Sequence, residues 1–386
     1  MNEVVIVDGV RSPMGRRGGG LAGVHAVDLL AHVLGALVDR TGIDPATVDD
    51  VIGGCVGQVG EQSTNVTRNA WLAAGLPVSV PAVTVDRQCG SSQQAVHFAA
   101  QGIASGDYDV AIACGVESMS RIPIGSAATL QGSPYSEQLL AAHSLVSQGE
   151  SAERIAEKWG FSRSDLDALA VRSHRTAIVA RDAGIFAREI APVQVGETLV
   201  DQDEGIREPD PARIASLKPV FREDGLITAA TSSQITDGAA ALLLMSGERA
   251  RELGLTPRAR MVSMALAGDD PVMMLTAPAP ATRKALDRAG LVVDDLDAVE
   301  INEAFASVVL AWRDELNISE QWYDEHVNVH GGAMALGHPL GGSGARLMVS
   351  LMSVLDERGG RYGLQTMCEG GGQANATLIE RWGAER

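Results

Sequence analysis

The chain has 386 residues, 45% hydrophobic and 21% charged, with a formal net charge of −18. It is long enough for one large core or two to three smaller ones, and it is too acidic for nonspecific nucleic-acid binding. No stretch reaches the roughly 18 uninterrupted apolar residues of a membrane span, and four cysteines (Cys55, Cys89, Cys114, Cys368) without a CxxC pair make no disulfide framework.

In chain order, the apolar run Val4–Val7 predicts a strand. Met1 to Asp8 carry no basic leader, so a cytoplasmic address is expected, where a thiol is packing material or a nucleophile. A basic, Gly-rich loop follows from Arg11 to Gly20, then a helix from His25 to Arg40 and a turn at Asp44-Pro45. Strands are predicted over Asp50–Cys55, Val80–Asp86 and Asp109–Ala113, with a helix over Ser91–Ala104. This alternation predicts a layered α/β core. The composition changes at about residue 119. A Gly/Ser/Pro-rich stretch leads into a helical pair, Ser151–Trp159 and Ser164–Ala183, with a start signal at Ser162-Arg163-Ser164-Asp165, and a charge-dense segment runs through Asp210. The chain thus divides into residues 1–118, an insertion at 119–245 with a strand returning to the first part near its end, and residues 246–386.

An internal repeat links the outer parts. Gly106, Tyr108 and Cys114 each recur 254 positions later as Gly360, Tyr362 and Cys368. The same offset carries Cys89 to Ser343, again just ahead of an apolar helix, here Ala345–Leu355. The competing explanation is two unrelated α/β segments with similar turns.

Four positions can carry chemistry. Cys89 lies where a strand turns through small residues into a helix; the helix N-terminus favours thiolate over thiol, and its free amides can hold an oxyanion. A buried, inert thiol is the other reading. His338 is pinned between Gly337 and Pro339 in His330–Gly344, where seven of fifteen residues are Gly or Pro, a setting suited to presenting an imidazole. Cys368 ends an apolar strand before Glu369-Gly370-Gly371-Gly372, whose amides can crowd a ligand atom. Asn302, in Ile301-Asn302-Glu303-Ala304-Phe305, is a helix cap or a site residue. No spacing suits a metal, and no GxGxxG stands between a strand and a helix.

The segments Asp86–Ala95, Asn302–Ala306, Gly331–Gly344 and Cys368–Gly372 together resemble the four signature blocks of thiolases, in that family's order, and Val10–Pro13 and Leu378–Arg381 extend the resemblance over the whole chain. The resemblance implies an α/β thiolase fold: two pseudo-repeated βαβαβαββ halves in a five-layer α-β-α-β-α core plus an inserted loop domain. It implies an acyltransferase that cleaves a 3-oxoacyl-CoA with coenzyme A as substrate and no permanently bound cofactor, working as a dimer or a dimer of dimers. Carried over by motif, Cys89 is the acylated nucleophile and His338 activates it and helps bind the thioester oxygen. Cys368 moves the proton at the substrate α-carbon, Asn302 positions an oxyanion-hole water, and the amides of Cys89 and Gly370 form a second oxyanion hole. Ser233 and Lys218 match coenzyme A contacts, though surface solvation explains Lys218 equally well.

Two departures argue against a plain acetoacetyl-CoA thiolase. Ser147-Gln148-Gly149 stands where a His-Met-Gly block is usual, and the nucleophile block reads Cys89-Gly90-Ser91-Ser92. The blocks look most like those of actinobacterial steroid-degradation thiolases, so a bulky acyl group is expected, with room provided by the small residues of Ile122–Leu145. The alternatives are a biosynthetic acetoacetyl-CoA thiolase, a ketosynthase-type condensing enzyme and a non-catalytic acyl-CoA carrier.

Overall fold

The computed structural model describes residues 2–129 and 132–384. Its first strand, β1 (Val4–Arg11), is buried almost throughout because it lies at the middle of the sheet. After the short β2 (Gly15–Arg16), helix α1 (Ala26–Thr41) buries a stripe of Leu29, Leu30, Val33, Leu34 and Leu37. His25 caps its start by accepting from the Val27 amide, and Gly42 ends it. Then come β3 (Asp50–Gly54), α2 (Val66–Ala73), β4 (Ala82–Val85), α3 (Ser91–Ser105) and β5 (Val110–Ser118).

The insertion supplies α4 (Gln148–Trp159), α5 (Arg163–Asp182) and the small hairpin β6 (Val193–Val195) and β7 (Thr198–Val200). Ser162 and Asp165 form a reciprocal capping box at the start of α5. The chain re-enters the main sheet as β8 (Thr236–Ser246), between β1 and β5. The second half follows as β9 (Ala259–Gly268), α6 (Pro278–Ala289), β10 (Ala298–Ile301), α7 (Ala306–Glu315), α8 (Ser343–Arg358), β11 (Tyr362–Glu369) and β12 (Gln373–Arg381).

The main strands run in the order β4-β3-β5-β8-β1-β9-β12-β11-β10. The seam between β1 and β9 has only two residue pairs, Val5 with Arg260 and Ile6 with Ala259, so the sheet is two half-sheets touching at one point. Outward from that seam the halves match. β1–β8 and β8–β5 are antiparallel, and β5–β3 and β3–β4 are parallel; β9–β12 and β12–β11 are antiparallel, and β11–β10 is parallel. The counterpart of β4 is a single parallel bridge from Val327 to Val299. The repeat expected from the 254-residue offset is therefore present as matched topology.

Burial gives the layers. One apolar cluster joins α1 and α2 to the outer face of the first half-sheet. A second draws residues of α3 and α8 together with both half-sheets, including Leu242, Ala298 and Ile379. A third joins α6, α7 and the insertion's α4 and α5 to the outer face of the second half-sheet. The result is α-β-α-β-α, with α3 and α8 as the shared central layer. Within the insertion, Ile124, Tyr135 and Leu140 are more than half exposed, so this stretch faces outward in the single chain where the sequence suggested the lining of a cavity. A chain segment this poor in large side chains has little to bury against the core.

Candidate active site

Both central helices point their N-termini at one place. At the start of α3, Asp86 accepts a hydrogen bond from the Gln88 amide at 2.6 Å, and Gln88 adopts a left-handed φ of 47°. A side chain in that region costs about 1–2 kcal/mol, and the turn it makes delivers Cys89 to the mouth of the helix. Cys89 packs with Leu340, Leu347 and Met367 and is 5% exposed. Cys368, at the end of β11, is 1% exposed and close enough that the charge of Cys89 helps to raise its pKa, after burial.

The imidazole enters from the loop before α8. Gly337 has φ 101°, and any side chain there would overlap Thr236, whose hydroxyl accepts from the His338 amide at 3.1 Å. His338 Nδ1 lies 2.5 Å from Ser343 Oγ, and Ser343 Oγ donates to the Pro339 carbonyl at 2.8 Å. With its own proton so committed, Ser343 accepts from Nδ1–H. Nε2 is then the acceptor, 3.4 Å from the Asn302 amide nitrogen. Asn302 itself starts the turn after β10, its backbone amide bonded to the Thr366 carbonyl of β11 at 3.1 Å. Four of the residues singled out in the sequence, Cys89, Cys368, His338 and Asn302, thus gather in one buried region between the halves.

Among the described residues, the amides of Cys89 and Gly370 donate to no other residue, the Cys89 N–H lying against its own sulfur, so two N–H groups are available to an anion. Gln88 and Gln148 flank Gly370: a methyl group there would lie 3.1 Å from Gln88 Oε1 and 3.4 Å from Gln148 Nε2.

Electrostatics correct one expectation. Burial pushes the Cys89 thiol up to about 12, assisted by the Glu369 charge, in the direction opposite to that expected of the helix N-terminus, and favours the thiol in the free protein. Burial, with the Arg346 charge second, lowers His338 to about 3, which keeps the imidazole neutral. The resting pair is neutral thiol and neutral imidazole, and a proton must move as substrate binds.

The match to known proteins is extensive. Residues 4–248 match the thiolase N-terminal domain and residues 255–381 the thiolase C-terminal domain. The chain belongs to the thiolase family. It is 51% identical, over 99% of its length and 95% of the relative's, to a steroid 3-ketoacyl-CoA thiolase of Mycobacterium tuberculosis. It is 45% identical to a β-ketoadipyl-CoA thiolase of Pseudomonas putida, over 99% of this chain and all of that one. The crystal structure of the Bacillus anthracis acetyl-CoA acetyltransferase superposes with a TM-score of 0.90 at 40% identity, covering 99% of both chains. The thiolase fold and an acyltransferase activity follow from this membership.

In this thiolase, Ser233 is tied to the Asn302 block through its amide, which donates to the Ala304 carbonyl at 2.9 Å. Lys218 lies exposed on the loop that carries Phe221, and no hydrogen bond brings it to the other site residues. Ser147 is an exposed N-cap that accepts from the Glu150 amide; Gln148 beside it reaches the thiol region. Gly149 is buried under the Phe221 ring, which meets Phe305 edge-on at 5.8 Å and occupies the space a side chain at Gly149 would take. Sequence reasoning passed over three supports. Ser343 holds His338, Thr236 holds its backbone, and Glu117 binds the amides of Val56, Gly57 and Gly341 and so ties the His338 loop to β5. Only Ser343 carried a signal: it sits at the repeat position of Cys89.

Among the described residues, no helix is long and apolar enough to cross a membrane.

Proposed function

We propose that this thiolase cleaves a 3-oxoacyl-CoA with coenzyme A through an acyl group carried on Cys89, in the degradative direction. One observation carries the reading: two buried thiols, a neutral imidazole whose Nε2 is the acceptor nitrogen, and two amides with no partner in another residue converge where the two central helices meet. As substrate binds, Cys89 passes its proton to His338 Nε2 and its sulfur attacks the 3-oxo carbon. The oxygen becomes an anion that donors preset beside it can hold, by the amides of Cys89 and Gly370 or by His338 with water on Asn302. The C2–C3 bond breaks, and the enolate of acetyl-CoA takes the Cys368 proton. Coenzyme A then gives its thiol proton to the Cys368 thiolate and attacks the acyl-Cys89 thioester, and Cys89 recovers its proton from His338. A thioester intermediate keeps both half-reactions close in energy.

Ser233 and Lys218 are assigned to the coenzyme A path, the first by its link to the Asn302 block. A homodimer or dimer of dimers, a cytoplasmic setting, and residues 119–245 acting as a loop domain over the site complete the proposal.

For the acyl group, the exposed Ser147 and the polar Gln148 support a substrate larger than acetoacetyl-CoA, and the relatives named for steroid and oxoadipyl substrates support the same choice. Gln148 adds an amide that can meet an oxygen on such a chain. Biosynthetic condensation of two acetyl-CoA is the second reading, favoured by the solved acetyl-CoA acetyltransferase of the same fold. Steady-state thiolysis of acetoacetyl-CoA and of a ring-bearing 3-oxoacyl-CoA, run side by side, separates them. A higher kcat/KM is expected for the larger substrate; a higher value for acetoacetyl-CoA would reverse the choice.

A further inference from the structure

A carboxyl group sits against the proposed nucleophile, and the reaction sequence above does not use it. Glu369 ends β11, next to Cys368, and its side chain is fully buried. A Cβ on Gly90 would overlap its carboxyl group, so the acid lies directly over the backbone that follows Cys89. Both carboxyl oxygens are buried and neither accepts a well-formed hydrogen bond, the backbone amide of Asn375 only approaching them, which is costly for an ionised acid.

The groups facing it are few. From the nucleophile loop come Arg87 and Cys89, from its own strand Cys368, and from β12 Asn375 and Gln373. Arg87 spends Nη1 on Gln373 Oε1 at 3.0 Å and forms no ion pair with Glu369 within 4.0 Å. Asp86 and Glu117 add weaker negative potential at Cys89. The acid therefore has one distant cation, the approaching Asn375 amide and two thiols for company.

We propose that Glu369 is a positioning residue for the two thiols: its carboxyl group, admitted by the missing side chain at Gly90, sets by the gain or loss of one proton how readily Cys89 takes up negative charge. This rests on the reading of Cys89 as nucleophile. Neutral, the acid fills the space beside Gly90 and leaves the thiol region free to hold one negative charge in transit. Ionised, it stands beside that charge and opposes it. The neutral form prevails at pH 7, because burial raises the acid to about 8 and the Arg87 charge only partly offsets this. Gly90 and Glu369 then form a matched pair, the first existing to admit the second.

The rate of Cys89 alkylation by iodoacetamide, followed by peptide mapping from about pH 6 to about pH 10, reads this directly. In the parent the logarithm of the rate should climb with pH, pause by about tenfold as Glu369 ionises near pH 8, then climb again. Glu369→Gln, which keeps shape and removes the proton, should climb without the pause. A parent profile with no pause overturns the proposal, even if the variant does not fold. A pause that survives in a folded Glu369→Gln overturns it as well. Failure of the nucleophile assignment looks different: acetyl-CoA would then leave no acetyl group on Cys89 at any pH.

Discussion

Cys114 and Cys368 occupy the same place in the two halves of the duplication, yet only one of them meets the site. Cys114 lies within β5, which runs on to Ser118, and its neighbour β3 reaches past it, pairing Gly54 with Gly115. Cys368 has one strand residue after it, and its neighbour β10 stops two residues earlier, its last pair being Ile301 with Thr366. In the space left by the shorter strand, Asn302 turns towards His338, and the Gly-rich turn after Glu369 opens towards Cys89. A second pair makes the same point: Cys89 and Ser343 stand at matching helix starts, one offering a sulfur and the other holding an imidazole. The duplicated scaffold supplies equivalent positions, and the ends of neighbouring strands decide which become chemical.

The largest expected effect comes from the Cys89–Ser343 pair. Cys89→Ser should fold and lose thiolysis by at least about a thousandfold, because a hydroxyl is a far weaker nucleophile and leaving group than a thiol. Steady-state assay checks this, and activity within tenfold of the parent would show that the two helix starts are not divided in role.

The cysteine pair gives the next contrast. Cys368→Ala should lower turnover at least about a hundredfold by removing the proton carrier, while acetyl-CoA still acylates Cys89. Cys114→Ala should keep kcat within about threefold and cost about 1 kcal/mol of stability in urea unfolding. Equal losses of activity in both variants would erase the distinction between the strands.

Ser343→Ala should reduce kcat about fivefold, the value of one lost hydrogen bond to His338 of about 1 kcal/mol. Little change in fluorescence-detected unfolding is expected, because the methyl group fits the same space.

The smallest effect is on stability against pH. His97, His174 and His338 are lowered by burial to about 3, 4 and 3, below the ordinary value of 6.5. Each of these rings binds a proton more readily in the unfolded chain, so its contribution to stability is present above about pH 6.5 and is lost as pH falls, while Glu300 and Glu369, raised by burial to about 8, act in the opposite sense over the same range. Removing one ring isolates its share: the fall in unfolding midpoint from pH 7 to pH 5 should be smaller in His174→Gln than in the parent, or its rise larger, by at least about 1 °C. The same change of midpoint with pH in both proteins would mean this ring is solvated.

Much of this was legible in the residues. The offset of 254 anticipated the matched half-sheets, because a tight turn needs Gly and a buried strand needs apolar runs in both copies. Capping chemistry at Ser162 marked α5. The grouping of Cys89, His338, Cys368 and Asn302 was visible only as four separate blocks, since their meeting depends on strands far apart in the chain. At Cys89 burial opposes the local signal. A helix N-terminus is local and easy to see, whereas burial by Leu340, Leu347 and Met367 comes from the other half of the molecule. Glu117 and Thr236 left no trace at all, because a carboxylate or hydroxyl facing distant backbone amides has no sequence period.

The central claim is that Cys89 carries the acyl group and Cys368 only moves protons. Incubation with acetyl-CoA, followed by proteolysis and mass spectrometry of the cysteine-containing peptides, tests it in one step. One acetyl group on the Cys89 peptide is expected in the parent and in Cys368→Ala, and none in Cys89→Ser. Acetyl on the Cys368 peptide, or an acetylated Cys89→Ser protein, would contradict the account.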